Sequence, residues 1–427
     1  MADPVRPWLA QHDGRVEKPA DALPEGPWLT VIGIGDGGLD SLTDEARDLL
    51  ENATTVFGGE RHLAMLGDTD AETISWESPC ADSIERLAAC AGTPTVVLAT
   101  GDPMWFGVGA TLTRHFPPGA LRVLPAPAAF QLAAARLGWP LQDCACLTVH
   151  GRPVEAVARA LAPGAQLLIY SADGQSPQAL ARLLTGRGYG PSRMIVLEHL
   201  GGERERIRET TAAGYDLDEI ADLNTVAVAC IAGRAAEPRP LVAGLPDDAF
   251  VHDGKMTKRV LRALALAALA PMPGELLWDV GAGSGSISVE WLRGAVRARA
   301  IAIEPVAARR AMIAENAATL GVPELVVVGD TAPAAFVGLD QPDAVFLGGG
   351  LTDGVFDAAW DALRPGGRMV AHAVTLESEV LLIALHERLG GELMRVSVER
   401  AEKVGPYRGF KPSMTVIHWH VTKGGNR

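Results

Sequence analysis

The stretch LLWDVGAGSGSISVEW, residues 276–291, decides the architecture of the second half of the chain. An apolar run ends in three closely spaced glycines, Gly281, Gly283 and Gly285, and a helix-like run follows. Such spacing lets the backbone turn sharply and lets a ligand approach without Cβ clashes. The phosphate-binding pattern G-x-G-x-x-G is broken, because Ser286 stands three residues after Gly283. What remains is D-x-G-x-G-x-G, beginning at Asp279. Glu304 follows at the end of the next apolar run, ARAIAIEP. An acid there can accept hydrogen bonds from both hydroxyls of a ribose, whichever nucleoside carries it. Asp330 and Thr331 end the run after that, in VVVGDTAP.

Around this loop the pattern alternates. Strands are expected at 275–280, 299–304 and 324–329, with helices at 256–270, 284–294 and 306–320. DAVFLGG, GRMVAHAV and PSMTVIHWHV supply the later strands. The pattern predicts a doubly wound α/β sheet with an antiparallel end. The first half also reads as α/β: WLTVIGIG, TTVFGG, TPTVVLATG, AQLLIYS, RMIVLEHLG and NTVAVACIAG are strand-like, with helical runs between several of them. Between the halves lies GRAAEPRPLVAGLPDD (233–248), rich in proline and small residues. The expected organisation is a flexible tail over 1–26, a first domain over 27–235, and a linker with a second domain over 236–427.

Composition bounds the function. With 48% hydrophobic and 21% charged residues the chain is globular. No apolar run reaches the length of a transmembrane helix, and the N-terminus has no secretory h-region, so a cytoplasmic location is expected. A net charge of −14 argues against nucleic-acid binding but leaves room for a local basic pocket. The five cysteines form no zinc or disulfide framework, and the histidines have no metal spacing, so no metal is expected.

The set Asp279, Gly281, Gly283, Gly285, Glu304 and Asp330 resembles that of the class I, Rossmann-like S-adenosylmethionine methyltransferases. The resemblance implies that the glycine loop, with Ser286, meets the amino-acid part of the cofactor. It implies that Glu304 meets the ribose and Asp330, with Thr331, the adenine. A second glycine cluster, VIGIGDGGLDSLT (31–43), resembles the opening of the class III tetrapyrrole methyltransferases. Gly33, Gly35 and Gly37 match, as do Leu42 and Thr43, but Asp36 stands where that family usually has proline. ATGDPMWFGVG (99–109) matches its G-D-P-x-x-[YF]-G signature through Gly101, Asp102, Pro103, Phe106 and Gly107, and VLPAPAAFQ, with Ala128, is similar to its next loop.

A class III domain ahead of a class I domain is similar to the bifunctional corrin-ring methyltransferases of cobalamin biosynthesis. Asp248, Phe250, Met256, Thr257 and Lys258 match the segment that in this family reaches the cofactor mouth. The resemblance implies two S-adenosylmethionine sites, one per domain. It implies methylation of reduced precorrin-6 at carbon 5 by the first half. The second half would methylate carbon 15 and remove the ring C acetate as carbon dioxide, giving precorrin-8. A substrate rich in carboxylates calls for cations, and Lys258, His372 and Arg408 are the candidates for positioning it. A homo-oligomer is expected by the same resemblance.

Two other readings stay open at this point. One is a pair of methyltransferases acting on RNA or a small metabolite. It is disfavoured because Gly348, Gly349 and Gly350 stand where amino-methylating enzymes carry N/D-P-P-[YF]. The other is a binding or scaffold protein that keeps the folds without turnover.

Overall fold

The computed structural model describes residues 26–76 and 80–424, so the expected tail falls almost wholly outside the described residues. Two compact units are present: residues 26–152 with 163–234, and residues 153–162 with 235–424. The ten-residue segment 153–162 is therefore a piece of the second unit, although a single boundary near 235 is all that the composition suggests.

The first unit contains two sheets. Strands β1 (Leu29–Ile34), β2 (Thr55–Gly58), β3 (Glu72–Ser75), β4 (Thr95–Thr100) and β5 (Leu121–Leu124) form an all-parallel sheet in the order β3-β2-β4-β1-β5. Helices α1 (Asp44–Glu51), α2 (Glu60–Leu63), α3 (Cys80–Ala89) and α4 (Val108–His115) connect them. Every residue of β1 is buried, as a central parallel strand covered on both faces requires. Thr43 starts α1, its Oγ1 accepting from Ala46 N at 3.2 Å, with Asp44 and Glu45 in the first turn. The second sheet holds β6 (Cys144–Thr148), β7 (Gln166–Tyr170), β8 (Arg193–Glu198), β9 (Arg206–Thr211) and β10 (Asn224–Ala229), in the order β6-β7-β10-β8-β9. Helices α5 (Ala129–Leu137) and α6 (Ser176–Gly186) accompany it. On the edge strand β9, Arg206 and Arg208 both bind the buried carboxylate of Glu198. These arginines hold a buried charge in place rather than merely forming a solvated face.

In the second unit β11 (Leu276–Val280), β12 (Arg299–Ile303), β13 (Val326–Val328), β14 (Ala344–Leu347) and β15 (Arg368–Ala373) are parallel. β19 (Val416–Thr422) and β16 (Glu392–Val396) extend the sheet antiparallel, giving the order β13-β12-β11-β14-β15-β19-β16. The doubly wound sheet with an antiparallel end is thus as the sequence predicts. Helices α7 (Arg259–Leu269), α8 (Ser286–Gly294) and α9 (Ala307–Thr319) cover one face, α10 (Asp353–Ala362) and α11 (Leu376–Leu389) the other. Neighbouring residues of β11 point opposite ways: Leu277 packs in the first core and Trp278 in the second. Between β16 and β19 the chain forms a separate antiparallel ribbon, β17 (Glu399–Val404) and β18 (Tyr407–Pro412). None of its residues is buried. No described helix is long and apolar enough to cross a membrane.

Candidate functional site

The second unit presents its loops at the carboxyl ends of β11, β12, β13, β14 and β15, where open α/β sheets bind ligands. Gly281 follows β11 with φ +69°, and a Cβ there would lie 2.6 Å from the carbonyl oxygen of Gly349. The turn after β14 presses against the turn after β11, and this close approach is what requires glycine at 281. Asp279 is buried on β11. Its Oδ2 accepts from Ser288 N at 3.1 Å and Ser288 Oγ at 2.6 Å, and its Oδ1 is buried without a partner. Burial pushes its carboxyl up to about 6, against the lowering effect of the Ser288 bonds. Ser284 Oγ, in the same loop, is likewise buried without a partner. Ser286 is buried at the start of α8.

Glu304 is buried just beyond β12. Its carboxylate accepts from Gly283 N at 2.9 Å and Val306 N at 3.1 Å, and so shapes the glycine loop itself. A carboxylate has about four acceptor sites, so the two backbone bonds leave capacity for a ribose. Asp330 and Thr331 are exposed just past β13. The orphaned Asp279 and Ser284 oxygens, the spare capacity of Glu304 and the open carboxylate of Asp330 fit a polar nucleoside cofactor. No group of three His, Cys, Asp or Glu side chains among the described residues could hold a metal ion.

Thr257 and Lys258 lie directly before α7, with Lys258 as its N-cap, both part-buried. A core arginine places them. Arg262, fully buried, donates to Glu290 Oε1 at 2.6 Å, to Asp247 Oδ1 at 3.2 Å, to Thr257 O at 2.7 Å and to Leu245 O. Its guanidinium also lies 4.7 Å from the centre of the Phe250 ring. Glu290 in turn accepts from Gly244 N and Leu245 N. The Arg262–Glu290 pair thereby ties both ends of the entrance segment 244–257 to the core, while Asn316 holds Val251 and Arg309 holds Asp253 in between.

His372 and Arg408 are not brought together by any bond. Arg408 stands exposed on the ribbon strand β18, paired through the ladder with Lys403, and its side chain makes no hydrogen bond or ion pair with a described residue. His372 sits near the end of β15, edge-on to Phe346, with Nε2 2.9 Å from Nδ1 of His418 on β19. Burial, reinforced by the neighbouring His418, pushes His372 down to about 3. Burial and then His420 push His418 down to about 4. Both rings are neutral in the folded protein at neutral pH, and unfolding in acid lets them take up protons. Their contribution to stability is complete above about pH 6.5 and is lost as the pH falls toward 3–4. Asp279 has the opposite sign: its raised pKa makes the folded state costlier as the pH rises from about 4 to 6. From these three groups we expect a net loss of about 3 kcal/mol between pH 7 and pH 4.5. Thermal unfolding across that range checks it, and the double variant His372→Phe/His418→Leu should show a visibly flatter profile.

In the first unit the strand ends of β1 and β4 meet at Gly33 and Gly101. A Cβ on Gly33 would lie 2.0 Å from Gly101 O and 2.6 Å from Ala126 N, and one on Gly101 would lie 2.7 Å from Ala128 Cα. Ala128 is buried beneath this crossing. Gly35 and Gly37 carry the chain on through the loop. Asp102 Oδ1 accepts from Met104 N at 2.8 Å, so its side chain closes the Gly-Asp-Pro turn. Pro103 backs that turn, its carbonyl oxygen 2.6 Å from where a Cβ on Gly107 would be. Phe106 follows at φ +56°, half-exposed, with Tyr170 and Phe130 edge-on to its ring. Met104 and Trp105 are equally exposed beside it.

Sequence reasoning missed the cluster around Asp36. Its Oδ1 accepts from Arg61 at 3.0 Å and its Oδ2 lies 3.0 Å from Nδ1 of His199. Arg61 and His62 also bond the Thr100 hydroxyl at the end of β4. The acid in place of proline was the available signal, but its partner His199 lies 163 residues away.

Comparison with known proteins adds the family. Residues 29–215 match the Tetrapyrrole (Corrin/Porphyrin) Methylases model, and residues 248–423 match the Precorrin methyltransferase domain model. The precorrin-6Y C(5,15)-methyltransferase [decarboxylating] of a Sinorhizobium species is 49% identical over 400 residues, covering 93% of this chain and 97% of that protein. The protein of the same name from Mycobacterium tuberculosis is 42% identical over 401 residues, covering 92% of this chain and all of its own. A cobalt-precorrin-7 C(5)-methyltransferase of Salmonella typhimurium is 30% identical over 200 residues, covering 47% of this chain and 98% of that protein. Two glycine-loop units in one chain, matched along nearly the full length of such relatives, place it in the family of decarboxylating precorrin-6Y C5,15-methyltransferases.

Proposed function

We propose that the chain transfers two methyl groups to a reduced precorrin-6, at carbon 5 from the first unit and at carbon 15 from the second. The second unit also releases the ring C acetate as carbon dioxide, and precorrin-8 is the product. The observation that carries this reading is the pair of independently built glycine-loop sites. The relatives' names supply the acceptor carbons. S-adenosylmethionine, when bound, supplies an electrophilic methyl group. In the second unit Asp279, the loop 281–286, Glu304, Asp330 and Thr331 would hold it, with Thr257 at the entrance. In the first unit Gly33, Gly35 and Gly37, with Gly101 to Phe106 and Ala128, would do so.

The protein's own work is mainly positioning, since a carbon nucleophile attacking a sulfonium needs in-line alignment more than acid–base power. Exposed Met104, Trp105 and Phe106 give the first unit an apolar shelf beside its glycine loop, suited to a flat macrocycle. In the second unit Lys258 at the entrance and Arg408 on the ribbon would meet substrate carboxylates; His372, expected to join them, is buried and neutral against His418 and is no cation for a carboxylate. The described cysteines are free thiols, which supports a reducing cytoplasmic setting. A two-stranded ribbon with Val404, Tyr407 and Phe410 exposed supports association with further copies of the chain, because isolated ribbons are only marginally stable.

Calorimetric titration of S-adenosylhomocysteine into the intact chain, with NAD as control, tests the cofactor reading. Two sites for the first ligand and none for NAD are expected. A single site would remove the two-methyl reading. Incubation with reduced precorrin-6 and S-adenosylmethionine should then give a product lighter than the substrate, because two methyl-for-hydrogen replacements add less mass than the lost carbon dioxide removes.

A further inference from the structure

Methyl transfer to a CH carbon of a conjugated macrocycle leaves an unfinished product. The acceptor carbon carries both hydrogen and methyl, and the ring system is one proton too rich. To restore the double bond, the C–H bond must break, its electron pair must return to the ring, and a base must take the proton. We propose that His199, oriented by Asp36, is that base in the first unit, acting on a meso carbon of the tetrapyrrole. This inference rests on the reading that the first unit methylates such a carbon.

Four observations lead to His199. First, its Nδ1 lies 3.0 Å from Asp36 Oδ2, so Nδ1–H donates to the carboxylate and Nε2 carries the free lone pair. Nε2 makes no hydrogen bond with a described residue, and it is not among the buried unpartnered atoms. Second, Asp36 is in the glycine loop itself, between Gly35 and Gly37, and its side chain is only 9% exposed. A Cβ on Gly202 would lie 2.4 Å from Asp36 Oδ2, so the turn after β8 closes tightly over the carboxylate. The dyad therefore joins the loop after β1 to the turn after β8. Third, His199 has φ +51°, an uncommon conformation for a side-chain-bearing residue, of the kind retained at functional sites. Fourth, the other bases nearby are committed. Asp102 closes its own turn, and His62 bonds Thr100 and is pushed down to about 4 by burial and by Arg61.

The charged groups around the dyad act in both directions. Asp36 stabilises the imidazolium that proton transfer creates. Arg61 shares that carboxylate and opposes it, and Arg204 adds positive charge near Arg61. Glu205, accepting from Gly201 N at 2.7 Å, brings a second carboxylate to the same turn. The triad logic applies in reduced form: an acid fixes the tautomer and orientation of a histidine that moves the proton.

The test uses the full chain with His199→Gln, Asp36→Asn and His199→Gly, and reduced precorrin-6 carrying deuterium at carbon 5. Calorimetry should still find two S-adenosylhomocysteine sites in each variant. In single turnovers the wild type should show little isotope effect. His199→Gln should lose about a hundredfold or more in rate at carbon 5, with a primary isotope effect appearing as proton loss becomes limiting. Added imidazole should restore His199→Gly, since glycine tolerates the backbone conformation. Asp36→Asn should likewise slow carbon 5 methylation and bring out the isotope effect, because the ring loses the carboxylate that fixes its tautomer and orientation. An undiminished carbon 5 rate in His199→Gln overturns the proposal. So does a rate loss with no isotope effect and no imidazole rescue, which marks a structural role. Absence of any methyl transfer by the wild type overturns the parent reading instead, and this proposal with it.

Discussion

Replacing Arg262 by alanine should destabilise the second unit by about 3–5 kcal/mol, the usual cost of stripping one partner from a buried ion pair. The side chain has no exposed surface and bonds four separate groups: Glu290, Asp247, Thr257 and Leu245. Its removal leaves the Glu290 carboxylate buried, hydrogen-bonded only to the backbone N–H groups of Gly244 and Leu245, with Arg293 as the remaining nearby cation. It also takes away the guanidinium over Phe250. Lysine is no substitute, since a point charge cannot present donors to four partners at fixed angles. Chemical denaturation should show the lowered midpoint. At temperatures where the variant stays folded, cofactor binding in the second unit should weaken as well, because Thr257 and Lys258 lose their anchor. A loss below 1 kcal/mol would mean that the entrance segment is held by its apolar contacts and by Asn316 and Arg309 rather than by Arg262.

Gly33→Ala should abolish the first site while sparing the second. The added methyl would lie 2.0 Å from one backbone atom and 2.6 Å from another, distances that no side-chain rotation relieves. Either β1 and β4 part at their ends, or the glycine loop shifts as a whole. The expected result is one S-adenosylhomocysteine site by calorimetry instead of two, loss of methylation at carbon 5, and continued methylation at carbon 15. The global unfolding midpoint should fall by only a few degrees, because the collision is at the end of the strands and not in the core. Two full-strength sites in this variant would show that the first loop does not hold the cofactor.

What the sequence could reveal followed from how each signal is written. Buried strands that end in glycine announce themselves, and both central strands, β1 and β11, were legible for that reason. The ribbon of β17 and β18 was not. ERAEKVGPYRGFKP exposes both faces to solvent, so its apolar residues have no period of two, and it reads as a cationic loop. The glycine loop of the second unit was readable as a binding element, but the use of Glu304 to shape that loop was not. A carboxylate that bonds backbone twenty-one residues earlier has no sequence signature. The same holds for Arg262 with Glu290, 28 residues apart, which looks like any charged residue on a helical run. Long-range polar pairs are settled by the fold, and only their residue types are visible beforehand.

The segment 153–162 has a consequence for how the protein can be divided. Arg159 donates to the carbonyls of Arg293 and Ala295, which end helix α8, so this short stretch completes the wall of the second unit. The instructions for that unit are therefore written in two places in the gene, one of them inside the reading frame of the other unit. A cut near residue 240 produces a carboxyl-terminal fragment with a missing tile, and an amino-terminal fragment that carries a helical turn belonging to the other unit. Swapping one half between relatives would mismatch that tile unless residues 153–162 travel with the second unit. The two units are interleaved along the sequence, and neither is one continuous stretch of the chain.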